Sequence, residues 1–234
     1  VRFLCEQGGI RRAAEVLEIG CGTGNLGSAV RDHAGADVTG VDLSLPMLGH
    51  AARKSIRPVC ATIDGLSLPF RDRSFDAILG AYVIHYISDL PFLFSECFRL
   101  LRHGAIMILT SSHEQIEKYH PVLQEFFPGF VQLEKKRFPD IDAIASFLER
   151  AGFCRMESHE VFLEKFVINR SYLKKAEAKF VSTYRLLTPE EFDMGIKKLA
   201  RFIKDTPAPV SREWRATLII GRKNAGGIRP GQKM

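Results

Sequence analysis

No stretch of this chain approaches the roughly 20 consecutive apolar residues that a membrane-spanning helix needs, and its first residues lack the charged-then-apolar layout of a secretory signal. The expected setting is therefore the cytoplasm. Cysteine is sparse and scattered. Cys5, Cys21, Cys60, Cys97 and Cys154 include no C-x-x-C pair, which argues against a disulfide framework and against a zinc site. No metal is expected.

Acidic residues thin out along the chain. Residues 165–234 hold 16 of the 33 Lys+Arg but 6 of the 27 Asp+Glu, so this last stretch carries +10 while residues 1–164 carry −4. Such asymmetry fits RNA, an anionic lipid surface or an anionic substrate, and equally a solvated helical face. With 46% hydrophobic residues in 234, one substantial core is affordable, and the chain reads as a single domain with embellishments.

What is abundant is glycine in one place. Val16-Leu-Glu-Ile-Gly-Cys-Gly-Thr-Gly24 is an apolar strand that ends in a carboxylate and opens into alternating glycines, with a helical segment from Leu26 onward. A strand ending this way leaves unpaired backbone N–H groups at a helix start and lets a ligand approach with no Cβ in the way. Gly22-Thr-Gly24-Asn-Leu-Gly27 is also literally a G-x-G-x-x-G, the dinucleotide fingerprint. That fingerprint wants its strand to stop just before the first glycine and the loop to take a pyrophosphate. Here the strand stops before Gly20 and Glu18 stands at its tip, where a negative charge repels a pyrophosphate but holds the ammonium of an amino-acid tail. S-adenosylmethionine has such a tail and a positive sulfonium.

The next strand candidate, Ala36-Asp-Val-Thr-Gly-Val41, ends in Asp42, about twenty positions past the glycine loop, where an acid accepts ribose hydroxyls. The alternative use of Asp42, capping the following helix, is better served by Ser44, with Pro46 in the first turn.

At this point the chain resembles the class I S-adenosylmethionine-dependent methyltransferases, and within them the small-molecule group related to the ubiquinone/menaquinone-biosynthesis enzymes. The resemblance runs over about residues 10–112. It is carried by the glycine loop, Gly40-Val-Asp-Leu-Ser44 with Met47, Asp64 four residues before Leu68-Pro-Phe70, Ser74-Phe-Asp76, and Phe98-Arg-Leu-Leu-Arg102 leading to Gly104. It implies a cofactor site of Glu18, Gly20, Gly22, Gly24, Asp42, Leu43, Met47, Asp64 and Ala81. In that site Asp64 meets the adenine amino group and Leu43 and Met47 flank the ring, while residues after the fourth strand line the methyl-transfer site. It also makes Cys21 a packing position. Three features depart from the pattern: His103 and Ala105 around Gly104, Ile63 before Asp64, and little chain ahead of the first strand.

Strand-like and helix-like segments alternate through the first half, with strands expected at Glu15–Ile19, Val38–Asp42, Pro58–Ala61, Phe75–Ala81 and Ala105–Thr110. This predicts an α/β, doubly wound, Rossmann-like sheet with its ligand across the carboxyl ends of the strands. Residues 139–152 have apolar residues at helical spacing and a glycine stop, followed by a strand near Arg155–Phe162. Leu173, Ala176, Phe180, Tyr184 and Leu187 form one helical stripe; Phe192, Ile196, Leu199 and Ile203 form another. Thr188-Pro-Glu-Glu191 between them is a capping box. A last strand, Arg215–Gly221, precedes a tail over 224–234. The resemblance implies seven strands in order 3-2-1-4-5-7-6, strand 7 antiparallel. Segments 111–138 and 165–210 are then helical cap insertions that form the acceptor pocket, with Tyr119, Phe126, Phe127, Phe130, Phe166, Tyr172 and Phe180 as lining or as glue.

Methyl transfer from a sulfonium requires chiefly alignment, and a general base is optional. His85, in Ala81-Tyr-Val-Ile-His-Tyr86, is the first candidate for a catalytic base, and His113 the second; Tyr86 or Tyr119 would orient an acceptor. The chain has no Asn/Asp-Pro-Pro-Tyr segment after the fourth strand, which argues against exocyclic base amines in nucleic acid as acceptors. The expected function is methyl transfer to a small molecule. An RNA methyltransferase using the basic tail and a binding module without turnover are the alternatives.

Overall fold

The computed structural model describes residues 1–61, 67–119, 121–206, 208 and 210–224. The elements are α1 (Arg2–Gly8), β1 (Glu15–Ile19), α2 (Asn25–Ala34), β2 (Asp37–Asp42), α3 (Leu45–Arg53), β3 (Arg57–Cys60), β4 (Phe75–Ala81), α4 (Leu90–Leu100), β5 (Leu101–Thr110), α5 (His113–Tyr119), α6 (Pro121–Phe126), α7 (Phe130–Arg137), α8 (Ile141–Ala151), β6 (Cys154–Ile168), α9 (Arg170–Glu177), α10 (Pro189–Asp205) and β7 (Val210–Lys223). The seven strands lie in the order β3-β2-β1-β4-β5-β7-β6, with β7 antiparallel. Pairing is parallel from β3 through β5, with Ile19 beside Val41 and Gly80. The expected architecture is therefore present. The strands differ mainly in length, for β5, β6 and β7 all extend beyond the segments expected from the sequence. Helix α1 was not assigned from the sequence; the side chain of Met107 occupies the space where a Cβ on Gly8 would stand.

The chain forms two compact units. The first comprises Val1–Thr110, Asp140–His159 and the chain from Leu218 onward. Central strands β1, β4 and β5 are covered on both faces and read as nearly continuous apolar runs, as parallel strands do. Their core includes Leu17, Ile19, Ile78, Ile106 and Ile108 with Phe94 and Phe98 from α4 and Ile144 and Leu148 from α8. Lys223 closes the end of α4 from β7: its Nζ donates to the carbonyls of Phe98 (2.5 Å) and Leu101 (2.8 Å) and lies 4.2 Å from the Phe98 ring centre.

The second unit comprises Ser111–Pro139 and Glu160–Thr217. Its core is aromatic. Phe126, Phe127, Phe130, Tyr172, Tyr184 and Phe192 are buried together with Leu187 and Leu199, in tilted and edge-on ring contacts. These aromatics thus serve as the unit's own core rather than as exposed lining, because α6, α7, α9 and α10 bury their apolar faces on one another. Phe180 stays exposed and Phe166 half-buried. The expected capping box starts α10: Thr188 Oγ1 accepts from the Glu191 N–H at 3.2 Å and Glu191 Oε2 from the Thr188 N–H at 2.9 Å. The 224–234 tail lies outside the described residues except for Asn224.

Candidate cofactor and active site

Three strand ends and one loop converge at the carboxyl edge of the first unit. Strand β1 delivers Glu18, two residues before a loop in which Gly20, Gly22 and Gly24 all have left-handed φ, at 63°, 51° and 71°. Gly24 is the N-cap of α2 and offers no capping side chain. Glu18 supplies what is missing: its Oε2 accepts from the Gly27 N–H, in the first turn of α2, at 3.0 Å. The approach needs glycine at both ends. A Cβ on Gly27 would stand 2.6 Å from that same oxygen, so the last glycine of the G-x-G-x-x-G spacing makes room for the Glu18 carboxylate. At Gly20 a Cβ would meet Val83, while at Gly22 it would face open space.

Glu18 is 3% exposed. Burial above all, with the nearby Asp42 charge adding to it and the Gly27 N–H and Lys54 opposing, pushes its carboxyl up to about 7. Asp42 ends β2 beside it. Its Oδ2 accepts from the Gly22 N–H at 2.8 Å and its Oδ1 from the Ser44 N–H at 2.8 Å. Ser44 takes the N-cap position of α3 and Pro46 its first turn, but the Ser44 side chain makes no capping bond; Asp42 instead holds the Ser44 N–H just ahead of the helix. Asp42 therefore holds the loop and the next helix together, and each carboxylate oxygen keeps a second lone pair for a ligand. Leu43 and Met47 beside it are 71% and 45% exposed, apolar surface that a planar base would cover. Cys21 is buried, its thiol pushed up to about 12 mainly by burial, which suits a packing role.

From β4, Ala81 leads into Tyr82, whose φ of 50° is uncommon for a residue with a side chain. The Tyr82 N–H donates to the Leu109 carbonyl at 2.8 Å, fixing the turn into the short 3-10 turn Ile84–Tyr86. His85 lies in that turn with its ring centre 4.2 Å from that of Tyr86. Tyr82 was missed from the sequence, where nothing marks a tyrosine for left-handed backbone. His113 is in the second unit, and its Nε2 bonds the Phe138 carbonyl at 2.8 Å. Asp64 lies outside the described residues, as does the side chain of Tyr119. Among the described residues no cluster of His, Cys, Asp and Glu is arranged to hold a metal, and no helix is long and apolar enough to cross a membrane.

Residues 17–109, which hold the glycine loop and the parallel strands β1 to β5, match the family described as methyltransferase domain. The match falls on the segment whose motifs carry the resemblance and bears that resemblance out. The chain is 27% identical over 185 residues to phosphoethanolamine N-methyltransferase 2 of Caenorhabditis elegans, covering 76% of this chain and 41% of that protein. To demethylmenaquinone methyltransferase of Tropheryma whipplei it is 28% identical over 171 residues, 65% of this chain and 71% of that one. A candidate methyltransferase of Anabaena variabilis from an antibiotic biosynthesis pathway shares the fold, with a TM-score of 0.73, 20% identity, and coverage of 94% and 95% of the two chains. The chain spans about two-fifths of the length of the first curated relatives it matches.

Proposed function

We propose that the protein transfers the methyl group of S-adenosylmethionine to a small-molecule acceptor in the cytoplasm. The observation that carries this reading is the pairing of Glu18 and Asp42 around the Gly20–Gly24 loop, with exposed Leu43 and Met47 alongside. Those residues fit the cofactor's functional groups one by one. Glu18 suits the ammonium of the methionine tail, Asp42 the ribose hydroxyls, Gly20, Gly22 and Gly24 the close backbone approach, and Leu43 and Met47 the faces of the base. Asp64 for the adenine amino group and Ala81 for the cofactor wall complete the set on the strength of the sequence motifs. When bound, the cofactor supplies an activated methyl on a positive sulfonium. The chain's own work is to hold an acceptor in line with it, an alignment worth roughly 7–11 kcal/mol, and to take up a proton where the acceptor releases one. His85 is the residue we assign to that proton. Segments 111–138 and 165–210 are assigned to acceptor choice, and relatives named for phosphoethanolamine and demethylmenaquinone support a small acceptor.

Isothermal titration with S-adenosylmethionine and its demethylated product tests the cofactor, and turnover against a panel of small acceptors tests the transfer. Asp42→Ala should weaken S-adenosylmethionine by at least about tenfold, since hydrogen bonds to a charged group contribute about 1.5–3 kcal/mol each and 1.4 kcal/mol is a factor of ten. An unchanged dissociation constant removes the ribose assignment. His85→Ala should leave cofactor affinity in place and lower turnover.

A further inference from the structure

Gly22 faces open space, but Gly20 has an occupant where its side chain would be: a Cβ there would stand 2.8 Å from the Cβ of Val83 and nearer still to its Cγ2. The other methyl of the same valine lies 3.2 Å from the Cβ position of Gly80, the β4 residue that pairs with Ile19. Val83 therefore fills a slot that exists because two positions lack a side chain. It is buried, in the core with Leu17, Ile19 and Ile84. Branching at Cβ restricts its χ1, and its backbone is fixed on both sides. The Tyr82 N–H before it donates to the Leu109 carbonyl at 2.8 Å, and its own carbonyl accepts from the Tyr86 N–H at 2.9 Å, at the N-cap of the 3-10 turn.

The far half of the loop is secured differently. The Cys21 N–H donates to the Val41 carbonyl at 3.0 Å and the Gly22 N–H to Asp42 Oδ2 at 2.8 Å. Hydrogen bonds to β2 thus set the half beside Asp42, while packing against Val83 sets the half that leads from Glu18. We propose that Val83 is a positioning residue for the amino-acid tail of the cofactor: seated against Gly20 and Gly80, it holds the segment 18–20 where the tail is received. It acts through the loop, without touching the cofactor. A segment held in place costs less to order when a ligand arrives, so loosening it is felt by the tail and hardly by the ribose. The inference rests on the S-adenosylmethionine reading above.

The test compares a ligand that has the tail with one that lacks it. Dissociation constants for S-adenosylhomocysteine and adenosine are measured by isothermal titration on the full chain, with thermal unfolding recorded for each variant. The wild type should favour S-adenosylhomocysteine by about tenfold or more, the scale of a hydrogen bond to a charged group. Val83→Ala, which empties the slot, and Val83→Ile, which overfills it, should each weaken S-adenosylhomocysteine by about fivefold or more and adenosine by less than about twofold. Val83→Thr keeps the shape but buries a hydroxyl, so it should lower the unfolding temperature and leave the ratio of the two affinities as in the wild type. A residue that only fills the core would lower stability in all three and leave the ratio alone throughout. An unchanged ratio in either the Ala or the Ile variant that folds therefore overturns the inference. So does a Thr variant whose ratio falls as far as that of Ala, a wild type that binds both ligands equally, or failure of both Ala and Ile variants to fold. A wild type that binds neither ligand removes the cofactor reading itself.

Discussion

At Glu18 one carboxylate closes the first turn of α2 through the Gly27 N–H while buried beside the negative Asp42. Its pKa is raised from 4.5 to about 7, so below pH 4.5 the group is protonated in folded and unfolded chains alike and its contribution to stability is fully present. As pH rises, the unfolded chain releases the proton first, and that contribution is lost through about pH 7. Glu18→Gln, which keeps an oxygen for Gly27, should flatten this decline and make the protein more stable than wild type at pH 8, by up to about 3 kcal/mol. Denaturant titrations at pH 5 and pH 8 measure it. The same ionisation has the opposite sign for the ligand, because only the carboxylate attracts an ammonium. S-adenosylmethionine should bind more tightly at pH 7 than at pH 5.5, a range in which its own α-amino group stays protonated, and in the Gln variant that slope should vanish. Adenosine, which has no amino-acid tail, should be little affected by the substitution; equal losses for both ligands would leave Glu18 with the helix-capping role alone.

Helix α10 illustrates how an element can need a residue that its own propensity disfavours. Gly195 costs a helix interior about 1 kcal/mol relative to alanine, yet a Cβ there would stand 2.1 Å from the Phe127 ring. Gly195→Ala should therefore destabilise the second unit by about 1–3 kcal/mol, the range for an overpacked core. Gly49 in α3 is the matching case without a neighbour, for nothing lies within 4 Å of its Cβ position. There the alanine variant should gain up to about 1 kcal/mol. Chemical denaturation of the two variants decides it; opposite signs are expected, and the same sign for both would mean that the Phe127 contact yields readily.

For the whole molecule, charge is the property with the clearest functional consequence. Lys197, Lys198, Arg201 and Lys204 are all exposed on α10, and Arg201 pairs with Asp205 at 3.4 Å. Basic residues coating a solvated helix should bind single-stranded RNA weakly and without sequence preference. Phosphate contacts would weaken binding by about 0.7 log units per contact for each tenfold rise in salt. Submicromolar RNA binding near physiological salt, lost when these four residues become glutamate while S-adenosylmethionine affinity is kept, would replace the small-molecule reading with an RNA one. We expect weak binding, because these charges lack the interleaved exposed aromatics on which single-strand binders stack bases.

The strand segments, the turn from β1 into α2, Asp42 at the tip of β2 and the capping box of α10 were legible in the chain because each depends on local chemistry: period, glycine, a strand-terminal acid, Thr188 three residues from Glu191. By itself the sequence also determined the order of these parts, and the resemblance of its motifs implied the sheet order. What only the tertiary structure decided were the uses of groups whose partners are distant in the chain. Glu18 caps α2 as well as facing the loop, since the N-cap there is a glycine. Asp42 holds the Ser44 N–H ahead of α3, the Tyr82 N–H is bonded to Leu109, His113 is tied to Phe138, and the aromatics of the second unit form its core. None of these could be read locally, because a hydrogen bond or a packing contact is settled by which atoms the fold brings within about 3–4 Å, and spacing along the chain carries no information about that.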